Sequence, residues 1–123
     1  MAGYDVRGAC LALAARLSDP AVGLPAGIDP QELSPPCAWI TPREIRDPTL
    51  GAAATLVVWV YLITGNVDPA DAMGRLDDQL DGLLEVVDPA DSDDVIDLAA
   101  SVILPANPTT PLPAYRVAVD LDL

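Results

Sequence analysis

The 123-residue sequence contains no histidine and no lysine. These two absences remove most of the side-chain chemistry that enzymes use. Without His there is no common general base and no Ser-His or Cys-His nucleophile pair. Without Lys there is no Schiff base and no P-loop cation. The glycines form no phosphate-cradling pattern. What remains is nineteen carboxylates, six arginines and two cysteines. Carboxylates are abundant enough that a pair at hydrolase spacing arises by chance, and nothing marks one pair as buried. The residues point away from an enzyme, and no catalytic or cofactor-binding residue is assigned.

One acidic run, Asp88-Pro89-Ala90-Asp91-Ser92-Asp93-Asp94, suggests a cation loop. An EF-hand loop needs glycine at its sixth position and glutamate at its twelfth. Counted from Asp91, those places hold Ile96 and Val102. A solvated helix cap is the better reading, and no metal ligand is assigned. The Asp91-Ser92-Asp93-Asp94 segment also matches an acid motif of terpene cyclases, but the chain is too short to build that cavity. Cys10 and Cys37 make no disulfide framework and read as buried free thiols, consistent with a reducing cytoplasm.

The charge sets further bounds. A formal net charge of −13 opposes direct binding to nucleic-acid phosphates or to an anionic membrane surface. Asp5 and Arg7 interrupt any signal-peptide pattern. The longest apolar run, Leu50 to Ile63, is 14 residues, short of the roughly 18 that suggest a spanning helix. With 51% hydrophobic residues the chain can bury a real core, so it reads as one soluble domain over residues 1–123.

The elements that must position these residues centre on Thr55 to Thr64. Its residues are mostly β-branched or aromatic and make a strand with two apolar faces: Leu56, Val58, Val60, Leu62 and Val57, Trp59, Tyr61, Ile63. Asp5 caps a first helix to about Leu17, with Val6, Cys10, Leu13 and Leu17 on one face. Pro20 to Pro36 is a connection with a short extended piece near Gly27. Pro35-Pro36 leads into a short strand, Cys37 to Thr41. Pro42 to Thr55 then reads as a protruding hairpin connection. Asp68-Pro69-Ala70-Asp71 is a strong helix start, and the helix runs to about Val87. Met73, Leu76, Leu80, Leu83, Leu84 and Val87 make its apolar stripe, while Asp71, Asp78, Asp81 and Glu85 cluster opposite. A short third helix is expected over Asp93 to Ala99 and an extended piece over Ser101 to Leu104. The proline-rich segment Pro105 to Pro113 reads as a loop. Tyr115, Val117, Val119 and Leu121 alternate with Arg116, Ala118, Asp120 and Asp122 in a strand with one buried and one solvated face. The order implies an α+β fold: a mainly antiparallel sheet of about four strands with two main helices on one face.

Two sets of residues carry the functional reading. Trp39, Trp59, Tyr61 and Tyr115 are either core or anchors of a subunit contact. Arg43, Glu44 and Arg46 fall in the protruding connection, a natural contact arm. The acids Asp71, Asp78, Asp81 and Glu85 are either a soluble face or a surface that repels nucleic acid or selects a partner.

Taken together the elements resemble the small tail terminator proteins of long-tailed bacteriophages, particularly those of actinobacteria. The resemblance rests on the alanine/leucine-rich helix Val6 to Leu17 and on the Pro-Pro-Cys-Ala-Trp-Ile segment at residues 35 to 40. It rests also on the apolar strand Leu56 to Ile63 followed by the acidic helix Asp68 to Leu84, and on the alternating strand Tyr115 to Leu121. It covers most of the chain as a pattern, and departs from it between Val87 and Ala114, which is short and proline-rich here. The resemblance implies a homo-hexameric ring in the virion neck, assembled in the host cytoplasm. Such a ring caps the major tail tube protein, stops its polymerisation and presents a surface to the head-tail connector or head-completion protein. Genomic DNA passes through its lumen without specific binding, and the acids above would suit that lumen. No cofactor and no membrane are implied. Two alternatives stand beside it: another neck protein, or an acidic monomeric binding or inhibitor module.

Overall fold

The computed structural model describes residues 5–46, 54–65, 68–87, 96–105 and 111–122. Helix α1 spans Val6–Ser18. Asp5 starts it, its carboxylate accepting a hydrogen bond from the Gly8 amide at 2.9 Å. The chain turns after α1 through Gly23, whose φ of 73° lies in the left-handed region that glycine adopts without cost. That turn returns the Leu24 amide to the Leu17 carbonyl at 3.0 Å. Strand β1 (Ala26–Gly27) and a 3-10 turn (Pro30–Glu32) follow. The remaining elements are β2 (Cys37–Arg46), β3 (Thr55–Ile63), α2 (Pro69–Val86), β4 (Asp97–Val102) and β5 (Leu112–Asp122).

The strands form one five-stranded mixed sheet in the order β1-β2-β3-β5-β4. The fold is α+β. The apolar strand β3 is the central strand, antiparallel to β2 on one side and β5 on the other. The fifth strand is the short β1, which runs parallel to β2. Its two residues are too few for a hydrophobic period to announce them.

Alternation along β3 divides the core. Leu56, Val58, Val60 and Leu62 pair with Leu121, Val119, Val117 and Tyr115 of β5 and lie under both helices. Leu13 and Leu17 of α1 and Leu76 and Leu83 of α2 cover them and are at most 2% exposed. Each such side chain contributes about 1.5–3 kcal/mol by burial. Polar ties set the helix positions. The Gln79 amide donates to the Cys37 and Ile63 carbonyls at 3.3 and 3.2 Å, fixing α2 to the ends of β2 and β3. Arg16 donates to the Val86 carbonyl at 2.7 Å, placing a cation on an orphan acceptor in the last turn of α2.

Three expectations are corrected. Strand β2 continues to Arg46, so Arg43, Glu44 and Arg46 belong to the sheet and not to a protruding loop. A register shift between Pro42 and Glu44 absorbs one extra residue, which lets the strand pass Pro42 without breaking. Residues Asp97 to Ala99 are strand and not helix, because β5 offers them a ladder partner. Ile96 is not helical either, and residues 93–95 of the expected third helix and the acidic run Asp88 to Asp94 lie outside the described residues. The solvated face of β5 is in fact largely covered: Ala118 is buried, and Arg116 and Asp120 are half-buried. No helix among the described residues is long and apolar enough to cross a membrane.

Candidate functional site

Both helices pack on one side of the sheet, so the other side must be closed by something else. At one end the chain closes it: Leu33 and Leu104 join Cys37, Ile63, Leu112 and Ala114 in a second small core. Towards the middle no helix among the described residues lies over the sheet. There Trp59 and Tyr61 project from β3 and Trp39 from β2, all half-buried. Trp39 is opposite Tyr61 in the ladder, and their rings stack at 5.3 Å. Trp59 meets Tyr61 edge-on at 6.3 Å. Trp39 Nε1 donates to the Ile28 carbonyl at 3.3 Å, which restrains its ring beside Tyr61.

Arginines frame this aromatic group. Arg116 on β5 is opposite Tyr61, and its guanidinium lies 4.5 Å from the Trp59 ring centroid. Arg43 approaches the same ring at 5.4 Å. The β2 irregularity brings Arg43, Glu44 and Arg46 together: Glu44 faces Arg43 at 3.5 Å and Arg46 at 3.6 Å. Arg46 also reaches Asp120 at 4.0 Å, and Arg116 pairs with Asp97 at 3.5 Å. Three of the six arginines thus share one face with three matched carboxylates. On a chain of net charge −13 this face is locally balanced. One contact on it is long: Asp120 Oδ1 is enclosed with no hydrogen-bond donor closer than the Arg46 guanidinium at 4.0 Å. Such an atom costs free energy unless a partner arrives.

The expected contact residues Trp39, Arg43, Glu44, Arg46, Trp59 and Tyr61 are therefore brought to one surface. Tyr115 is not among them. It faces the helices, 4% exposed, and its hydroxyl donates to Asp77 at 3.1 Å. Burial, and then the hydrogen bond and charge of Asp77, push its phenol above the ordinary tyrosine value. The acids Asp71, Asp78, Asp81 and Glu85 are all exposed along α2, away from the aromatic face. Arg116, Asp97 and Asp120 complete the site and were missed. The alternation of β5 puts Arg116 and Asp120 on the face of Trp59, but only the register shows which cation meets which ring.

Cys37 is fully buried, which pushes its thiol up to about 11, and burial raises Cys10 as well, so neither presents a thiolate. Among the described residues no three metal-ligating side chains are gathered. Comparison with known protein families, with curated proteins and with solved structures returned no match.

Proposed function

We propose that the chain is a structural ring subunit of a bacteriophage neck, the tail terminator. The observation that carries this reading is the middle of the sheet that no described helix covers, where Trp39, Tyr61 and Trp59 form one aromatic group and Arg43 and Arg116 lie against Trp59. Aromatic and arginine side chains are the residue types that dominate subunit contacts. Local charge balance lets a strongly acidic chain meet another acidic body there without repulsion. A ring also hides such a surface on every copy without leaving an open end.

In this reading six copies close on the last ring of the major tail tube protein and stop its growth. The opposite side of the ring receives the head-tail connector or head-completion protein. The exposed acids Asp71, Asp78, Asp81 and Glu85 on α2 suit a lumen, because they would repel phosphates and let genomic DNA slide. The place of action is the virion, after assembly in the host cytoplasm. Purified chain incubated with tail tubes tests this. The reading expects a ring at one tube end, seen by electron microscopy, and arrest of tube growth. Tubes that bind no chain and grow to unlimited length would reject it.

A further inference from the structure

A second surface lies on the other side of the sheet and is independent of the ring reading. Among the described residues five large apolar side chains are exposed: Leu11, Met73, Leu84, Leu98 and Ile103. Two of them line one groove between α2 and the β4–β5 side of the sheet. Met73 and Leu98, 58% and 61% exposed, face each other across a groove of about 370 Å³. Its walls are Pro69, Ala72 and Leu76 of α2 and Pro113 and Tyr115 of β5. Every lining residue is apolar or aromatic.

One side of the groove is a strand edge. β4 is last in the sheet order and pairs only with β5 among the described residues. On that edge the Ala99 amide is already taken by the Asp97 carboxylate at 2.9 Å, so a further strand would pair along residues 100–102. The other side is acidic. Met73, Asp77, Asp81 and Leu84 follow one another at spacings of four, four and three, so they share one flank of α2. Arg75 falls on the opposite flank. The Tyr115 hydroxyl fixes the Asp77 carboxylate at the groove rim with a 3.1 Å hydrogen bond. Asp68 caps the helix start beside Pro69.

We infer that this groove takes an extended segment of another protein that alternates and combines apolar with Lys or Arg residues, added as a strand to the edge of β4. Its backbone pairs with β4. An apolar side chain fills the space between Met73 and Leu98. A basic side chain two residues along, on the same side and about 7 Å away, reaches Asp77. A second copy is the wrong occupant, because pairing two β4 edges would bring two acidic α2 flanks together.

The probe is an eight-residue capped peptide, Val-Thr-Lys-Thr-Val-Thr-Lys-Thr, titrated into the intact chain by NMR. Binding should move the amide signals of Ala100, Ser101 and Val102. Leu98→Arg should weaken it at least tenfold, and Asp77→Asn about threefold or more. Both sites are exposed, and an unchanged melt confirms that each variant is folded. Five results would overturn the inference. These are no binding at millimolar peptide, equal binding of the peptide with Glu for Lys, shifts centred on Trp59 and Arg116, tighter binding of a helical peptide of the same composition, or a self-association through β4 that Leu98→Arg abolishes.

Discussion

Trp59→Ala separates what the aromatic face does for the single chain from what it does between chains. In the chain the ring meets Arg116 at 4.5 Å, Arg43 at 5.4 Å and the edge of Tyr61 at 6.3 Å. Each cation contact at a half-exposed site contributes about 0.5–1 kcal/mol, and the aromatic pair about as much again. Arg116 keeps Asp97, and Arg43 keeps Glu44, so no charge is stranded by the change. The loss to the isolated fold is therefore about 1.5–3 kcal/mol, which a domain of ordinary stability survives. Between chains the same side chain would be an anchor, and its truncation costs about 2 kcal/mol or more at each contact. Leu62→Ala is the matched control. It lies on the same strand, faces the helices and is 0% exposed, so it costs the fold about 2–5 kcal/mol. Urea melts measure the stabilities, and sedimentation equilibrium measures association under conditions where both variants are folded. The expected result is that Trp59→Ala stays folded and loses association, while Leu62→Ala is the less stable of the two and still associates. Parent-like association of folded Trp59→Ala would refute the reasoning.

Tyr115→Phe removes the hydrogen bond to Asp77 and should cost about 0.5–1.5 kcal/mol at neutral pH. The raised phenol adds a pH dependence. The fold favours the neutral form, so this contribution is complete below the ordinary tyrosine value and is lost as pH rises through the raised one. Urea melts at neutral and alkaline pH should show the parent weakening more steeply than the Phe variant; identical profiles would contradict the assignment. Cys10 and Cys37 should resist a thiol reagent at mildly alkaline pH until the chain unfolds, because both are buried with raised values; fast modification of the native chain would contradict their placement. Asp81 sits three or four residues from Asp77, Asp78 and Glu85, and like charges at those spacings destabilise a helix by about 0.2–0.5 kcal/mol each. Asp81→Asn should therefore raise the melting temperature at low salt and lose the advantage at high salt.

The elements that could be read in advance are those whose signal is local. Helix α2 carries its own cap, first-turn proline and apolar period, and it spans Pro69–Val86. Strand β3 stands out by composition alone. What escaped was decided by distant partners. β4 is a strand because β5 is beside it, and its sequence Asp-Leu-Ala-Ala-Ser-Val has no clear period of two. β2 runs on through Pro42 because an irregularity absorbs the proline. Trp39, Trp59 and Tyr61 were candidates for a contact, yet sequence placed Tyr115 with them as an equal. The register moves Tyr115 to the helix side, opposite Leu62, and brings Arg116 to the aromatic face instead. A slip of one residue in β5 would have exchanged the two.

In the proposed ring the aromatic, arginine-framed face of the sheet joins copies of the chain. Native mass spectrometry of the parent chain, alone and recovered from assembled tail tubes, tests it most directly when Trp59→Ala is run beside it. The expected result is a closed species of six copies that Trp59→Ala does not form. A strictly monomeric parent in both preparations, or a six-copy species indifferent to Trp59→Ala, would contradict it.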